Sequence, residues 1–361
     1  MKIAVIHATA GAGHLKAAEA VYYGLRKYTD HDVKIIDALD HTSGIFKSMY
    51  AGTYLFLIKH FPRVWGVSFA VIDIPALQPF IRWFRRIYNH INASNLEKLL
   101  IERQFDCIIM THFMPTEITA SLKRQRKINA KLITCVTDFD VHRIWLAEGV
   151  DGYCVASDWT KNRIQTLGIP ENKVTVTGIP TNERFSAAYD VAELKSSMGL
   201  EKDRFTVLVA TGSFGIGPIE EIIRELDEFQ VVVVCGHNKT LFKTLTDKKY
   251  ANAKVFGLVD NMHELMALSN AMVTKPGGLS ISEALVTQLP LIFFNPIPGQ
   301  ETGNIKVLAT YGVGISGCSI PDIACELDKL RTSQDVYSTV LMKTKEIARP
   351  FAVKDIVNLI T

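Results

Sequence analysis

A chain of 361 residues, 48% of them apolar, is long enough for two buried cores, and its net charge of +3 excludes a polycation that coats nucleic acid. Six cysteines (Cys107, Cys135, Cys154, Cys235, Cys318, Cys325) show no CxxC spacing and mostly lie in or beside apolar runs, so they read as reduced, buried residues of a cytosolic protein. The chain opens directly on a strand, leaving no room for a signal peptide.

Short β-branched runs follow in order: KIAVIHA, DVKIIDA, FDCIIMTH, AKLITCVTD, GYCVAS and KVTVTG, alternating with helical patterns. This predicts a parallel sheet covered by helices on both faces. Residues 1–180 form that first unit, and the polar stretch 181–203 reads as a linker. A second cycle opens with RFTVLVATGSFGIGPIEEIIREL and continues through VVVVCG, KVFG, AMVTK and PLIFFN, giving a second unit over 204–340. Residues 341–361 close the chain as helix that packs back on the first unit. In doubly wound sheets ligands sit beyond the carboxyl ends of the strands, so two such units facing one another place a ligand in the cleft.

The first loop, GAGHLKAA, has the glycines and helix start of an anion site. It lacks the third glycine of a dinucleotide fingerprint, with Lys16 in its place, and it lacks a Walker Gly-Lys-Ser/Thr; Asp37 is the candidate for a ribose contact. His14 falls on the first helical turn, where the positive helix end favours a neutral imidazole able to act as a general base. A histidine that merely caps or packs against the loop reads the same way.

In the second unit, Thr274-Lys275-Pro276-Gly277-Gly278 follows an apolar strand and precedes a helix opened by Ser280 and carrying Glu283. That pattern makes a pyrophosphate cradle with a carboxylate placed for a ribose diol. A capping box from Ser280 to Glu283 would use the same residues. The next loop, NPIPGQETGN, groups Gln300, Glu301 and Asn304, the amide and carboxylate partners that hexose hydroxyls require.

Residues 41–90 hold eleven of the chain's 33 aromatics and six Lys/Arg against one acid. No apolar run reaches spanning length, because Lys59, Arg63, Asp73 and Arg82 interrupt it. RWFRRIYNHI (82–91) has the make-up of an interfacial helix, with Trp83, Phe84 and Ile87 in the acyl boundary and Arg82, Arg85 and Arg86 at lipid phosphates, each base adding roughly 1 kcal/mol. A core helix with snorkelling arginines, or an oligomer contact, has the same composition. KRQRK at 123–127 reads as a solvated helix end, and no nucleic-acid partner is expected.

TKPGGLSISEAL with PIPGQETGN, GAGHLKAA, CGHN at 235–238, FGLVDNM at 256–262 and TDFDVHRIW at 137–145 together resemble the monogalactosyldiacylglycerol synthase and processive diacylglycerol glucosyltransferase family, in matching order over nearly the whole chain. The resemblance implies an α/β protein of the GT-B fold and an inverting transferase moving a hexose from a UDP-sugar, UDP-glucose ahead of UDP-galactose, to diacylglycerol. It implies that Gly212, Ser213 and Phe214 line the pyrophosphate, and that Gly236, His237, Asn238 and the backbone of Val259 flank the nucleotide. Thr274 to Gly278 would grip phosphate, Glu283 the ribose, and Gln300, Glu301 and Asn304 the hexose.

His14 matches the family's base, and Asp138 is a second base or the partner that orients it. Trp65, Phe69 and His142 join the arginine-rich helix as acceptor and membrane residues. Thr211 and Phe214 depart from the family's glycine-rich form of that loop.

Asp138-Phe139-Asp140 and Asp30-His31-Asp32 spell DxD, but such metal sites belong to another fold, and neither metal nor cofactor is expected. The expected location is cytoplasmic, peripheral on the inner face of the cell membrane, with anionic lipid as partner. The competing readings are a UDP-GlcNAc transferase acting on a polyprenyl-linked acceptor, a non-hydrolysing sugar-nucleotide epimerase, and a basic docking protein without catalysis.

Overall fold

The alternating pattern resolves into two all-parallel sheets. The computed structural model describes residues 1–9 and 11–360, apart from the side chains of residues 51, 54 and 55. Its first sheet contains β1 (Lys2–His7), β2 (Asp32–Asp37), β3 (Cys107–Met110), β4 (Lys131–Cys135), β5 (Gly152–Val155) and β6 (Val174–Val176), in the spatial order β2-β1-β3-β4-β5-β6. The helices here are α1 (Ala12–Tyr28), α2 (Gly44–His60), α3 (Pro62–Ile72), α4 (Gln78–Asn92), α5 (Ser94–Arg103), α6 (Phe113–Arg124) and α7 (Asp158–Thr166).

Alternation along β1 divides the core. Ala4 and Ile6 join the cluster that includes Leu96, Leu100 and Ile118, whereas Ile3 and Val5 pack with Val21, Leu25 and Ile356. Burial on both faces is why the central strands read as unbroken apolar runs.

The second sheet has β7 (Thr206–Ala210), β8 (Gln230–Val234), β9 (Ala253–Phe256), β10 (Ala271–Thr274) and β11 (Leu291–Phe293), in the order β11-β10-β7-β8-β9. Its helices are α8 (Val191–Ser197), α9 (Ile219–Glu225), α10 (Lys239–Lys248), α11 (Met262–Ala267), α12 (Gly278–Val286), α14 (Ile320–Thr332) and α15 (Gln334–Ile347). Between them in sequence, α13 (Gln300–Thr310) starts in the first unit and ends in the second, and α16 (Ala352–Asn358) ends the chain.

The division of the chain differs from the one read off the sequence. The first unit takes Met1–Asn182, Ile297–Asn304 and the segment from Phe351 onward; the second takes Glu183–Pro296 and Ile305–Pro350. The stretch expected as a linker is therefore part of the second unit from Glu183 on. Its polar residues hid a helix: Asp190 caps α8 by accepting from the Glu193 amide at 2.9 Å. Lys195, 4% exposed, donates its ammonium to the carbonyls of Lys202 and Arg204, both at 3.0 Å. The segment expected to pack back begins only at Phe351, after α15 has ended at Ile347 and the chain has turned at Pro350.

α16 lies against α1 where α1 carries Gly24 in place of a side chain. A Cβ at Gly24 would stand 2.1 Å from Val353 Cγ1. Gly24→Leu is expected to destabilise the first unit by about 1–3 kcal/mol through overpacking, read from urea unfolding midpoints. An unchanged midpoint would show that this contact yields freely.

Candidate active site

In the first sheet the strand order reverses between β1 and β3, and a doubly wound sheet opens a crevice at the carboxyl ends of such a pair. His14 stands on the first turn of α1, behind an extended Gly11 that makes no side-chain cap. Its Nδ1 lies 2.8 Å from the Thr111 carbonyl, just past β3, and 3.0 Å from the Thr137 hydroxyl, just past β4. A carbonyl can only accept, so Nδ1 carries the proton and Nε2 presents a lone pair. The Thr111 hydroxyl donates back to the His14 carbonyl at 2.8 Å. Burial pushes the imidazole down to about 4, the Thr111 hydrogen bond opposing it and the neighbouring His7 reinforcing it. The group is thus a neutral base at physiological pH.

Asp138 does not orient this ring; Thr111 and Thr137 do. Asp138 is buried and accepts from Gln300 Nε2 at 2.9 Å and from Trp145 Nε1 at 3.3 Å. Burial raises its carboxyl above the usual range, while the bonds from Gln300 and Trp145 pull it back. Asp37, the candidate ribose contact, instead accepts from the amides of Leu39 at 3.0 Å and Thr9 at 3.3 Å.

The segment Ile297–Asn304 belongs with this first unit, which revises the hexose assignments. Asn304 is fully buried, and its side-chain oxygen accepts from the amides of Phe139 at 2.8 Å and Asp140 at 3.3 Å. It clamps the Asp138 loop and has no surface for a sugar. Glu301 accepts from the Ile297 amide at 2.6 Å, closing the turn that starts α13. Gln300 reaches Asp138 directly, so the amide assigned to a hexose holds the carboxylate.

His142 is likewise interior. Its Nε2 donates to the Phe69 carbonyl at 2.9 Å, its Nδ1 accepts from the Ile144 amide at 3.0 Å, and its ring packs against that of Phe69 with centroids 4.1 Å apart at a tilt of 39°. The sequence placed His142 and Phe69 at the acceptor surface; the structure uses them to fasten α3 to the core. Trp65 is half-buried beside them.

The second sheet repeats the geometry. Its order reverses between β7 and β10, whose ends pair Ala210 with Thr274. From there run the loop of Thr211, Gly212, Ser213 and Phe214 and the turn of Lys275, Pro276, Gly277 and Gly278. α12 begins at Gly278 with an extended Gly277 as N-cap and no side-chain cap, so Ser280 does not open it as expected but lies within its first turn. Uncapped first-turn amides and a positive helix end suit a phosphate. The Thr211 hydroxyl is buried without a partner among the described residues. A phosphate oxygen would satisfy it. Glu283 follows on α12, half-buried.

The loops after β7 and β8 are welded together. His237 donates its amide to the Ser213 carbonyl at 2.8 Å, and Asn238 Nδ2 donates to the Gly215 carbonyl at 3.0 Å. Asn238 also caps α10 by accepting from the Leu241 amide at 3.0 Å, so both ends of its side chain are engaged in holding the loop. His237 is exposed, and Val259, in the loop after β9, is half-buried.

Between β2 and β3 the chain runs through four helices, α2 to α5, of which α5 buries Leu96 and Leu100 in the core. α3 has no buried residue, and α4 buries only Gln78 and Asn89. Gln78 Nε2 donates to the carbonyls of Ile72 at 2.7 Å and Ile74 at 3.3 Å, tying the break between α3 and α4. Among the described residues no single helix is long and apolar enough to cross a membrane, and Pro62–Ile72 with Pro75–Asn92 would pass only as a pair bent by 73°. Trp83, Phe84 and Ile87 are exposed. Arg82 is half-buried, and Arg86 pairs with buried Glu117 at 3.5 Å. Arg85 departs from expectation: it turns inward and donates to the Ile144 carbonyl at 3.2 Å, so it is no lipid-phosphate contact.

Sequence reasoning passed over Thr111, Thr137 and His112, and named Thr211 only as a departure from the family's loop. For the first three the signal was the polar pair just past the strand end, Thr111-His112 after β3 and Thr137-Asp138 after β4.

Two Rossmann-like units, each with a polar cluster at its switch point, define a protein of the GT-B class. The description of monogalactosyldiacylglycerol (MGDG) synthase matches residues 14–181, and the glycosyltransferase family 28 C-terminal domain matches residues 206–315. A processive diacylglycerol beta-glucosyltransferase of Staphylococcus saprophyticus is 29% identical over 99% of this chain and 93% of its own. The enzyme of that name from Staphylococcus carnosus is 31% identical over 87% of this chain and 80% of its own. Acinetobacter baumannii MurG, at 15% identity, superposes with a TM-score of 0.61 over 100% of this chain and 99% of its own. The chain belongs to the family of the processive diacylglycerol glucosyltransferases and monogalactosyldiacylglycerol synthases, and it is a glycosyltransferase.

Proposed function

We propose that this enzyme transfers glucose from UDP-glucose to diacylglycerol at an anionic membrane surface, with inversion and without a metal. The observation that carries the reading is the fixed tautomer of His14, a neutral imidazole whose Nε2 is left basic. The acceptor hydroxyl gives its proton to that nitrogen while its oxygen bonds to the anomeric carbon. The bond from that carbon to the diphosphate breaks, and its electron pair leaves with UDP. One displacement inverts the centre. The uncapped start of α12, with Lys275 before it, supplies the positive charge that lets the diphosphate leave without a cation.

The acceptor is read from the relatives, whose names specify diacylglycerol. The surface helices support it: a lipid alcohol stays in its bilayer, and Phe80, Trp83, Phe84, Ile87 and Ile91 stand exposed on one arginine-bearing helix. Purified protein with UDP-glucose and dioleoylglycerol vesicles should yield a β-glucosyl lipid by mass and NMR. Turnover of UDP-GlcNAc in place of UDP-glucose would overturn the donor assignment, and absence of any glycosylated lipid with either donor would overturn the acceptor assignment.

Membrane attachment has its own test. Changing Trp83, Phe84 and Ile87 to Ser should weaken flotation with phosphatidylglycerol vesicles at least a hundredfold, since each large apolar side chain contributes about 1.5–3 kcal/mol on burial. Undiminished flotation would place the contact elsewhere.

A further inference from the structure

Two imidazoles meet at the first switch point, and only one serves as base. His112 caps α6: its Nδ1 accepts from the Met114 amide at 3.0 Å. An Nδ1 that accepts carries no proton, so the neutral ring bears its hydrogen on Nε2. His14 has the opposite tautomer, with Nδ1 donating to Thr111. The rings pack edge to face with centroids 4.5 Å apart. Burial keeps His112 well below its ordinary range, the nearby His14 and His7 adding to the effect, so this polarity holds at neutral pH. No described residue accepts from His112 Nε2, although the ring is only 1% exposed, and Phe113 and Tyr50 wall it at 4.1 and 6.2 Å. Unlike Thr211 Oγ1, this Nε2 keeps a sliver of accessible surface, so a donor that no described residue uses is open to an oxygen of a bound ligand.

We infer that His112 binds the acceptor: its Nε2–H donates to the oxygen on the carbon next to the one bearing the reacting hydroxyl, while His14 Nε2 takes that hydroxyl's proton. This rests on the acceptor reading proposed above and deepens it. The pair then selects alcohols with an oxygen on the adjacent carbon. The neighbouring ester oxygen of a diacylglycerol and the neighbouring hydroxyl of a sugar both qualify; a plain long-chain alcohol does not.

The test compares wild type and His112→Asn with UDP-glucose and three acceptors in mixed micelles: dioctanoylglycerol, octyl glucoside and 1-octadecanol. Asparagine keeps the cap on Met114, because its side-chain oxygen accepts from that amide, but it has no group at the Nε2 position. Wild type should favour the two oxygen-bearing acceptors over the alkanol in kcat/KM, and His112→Asn should cut that preference about tenfold to a hundredfold. A purely structural role would lower all three rates together and leave the ratios unchanged, which would overturn the proposal. Equal wild-type rates on all three acceptors would overturn it too. Use of octyl glucoside but not dioctanoylglycerol, with a preference that depends on His112, would sustain the inference while defeating the diacylglycerol reading.

Discussion

His14→Ala is expected to lower kcat by about 10²- to 10⁴-fold, the contribution of a positioned general base. His14→Asn should do the same, since its amide can still donate to the Thr111 carbonyl but offers no basic nitrogen. The pair of variants thus separates proton acceptance from packing. The base works only when neutral, and burial has pushed it down to about 4. The acid limb of kcat/KM should therefore fall as pH drops through about 4, with a plateau across neutrality, and not near the ordinary histidine value of about 6.5. A full-activity His14→Asn enzyme, or an acid limb near 6.5, would remove His14 from this role. Asp138→Asn distinguishes the other candidate. If Asp138 only braces Gln300 and Trp145, the amide should retain kcat to within about tenfold; a loss matching that of His14→Ala would make the carboxylate the base.

How much of this was legible in the sequence depends on the period of the signal. Strands buried on both faces leave continuous apolar runs, so KIAVIH, QVVVV and their neighbours declared themselves, and with them the two parallel sheets. Short loops after strands also read correctly as places, because Gly11, Gly212 and Gly277 mark turns whatever they bind. What failed to read was the direction of side chains in those loops. Asn304 and Asn238 look like ligands for a sugar or nucleotide, yet each satisfies backbone amides that the turns leave open. Arg85 sits amid basic residues of a surface helix and differs from Arg86 only by the 100° that one residue turns, which brings it to Ile144. The helix α8 went unread because its start is a single Asp190 cap without an apolar stripe. Placement of Ile297–Asn304 with the first unit is a long-range fact: Phe69 packs against Gly299 and Asp138 meets Gln300 across distances in sequence that no local pattern encodes.

The other large effect is expected at Gly236, from a physical argument that composition alone could not supply. Its φ of +58° lies in the left-handed region, which costs a residue with a Cβ about 1–2 kcal/mol. A Cβ there would also stand 2.3 Å from the Ser213 carbonyl oxygen, and Gly215 meets the Cys235 carbonyl in the same way, so the loops after β7 and β8 touch backbone to backbone. Neither partner is a side chain that can swing aside. Gly236→Ala must therefore displace the turn that carries Gly212 and Ser213 toward the phosphate region, and KM for UDP-glucose should rise at least tenfold with a lowered unfolding midpoint. Gly212 supplies the internal comparison: its φ is +77° but nothing lies within 4 Å of the added atom, so Gly212→Ala carries strain without collision. UDP affinity by calorimetry should fall more for Gly236→Ala than for Gly212→Ala. Equal losses would mean that backbone conformation alone matters, and the crossing of the two loops would then have no part in shaping the donor site.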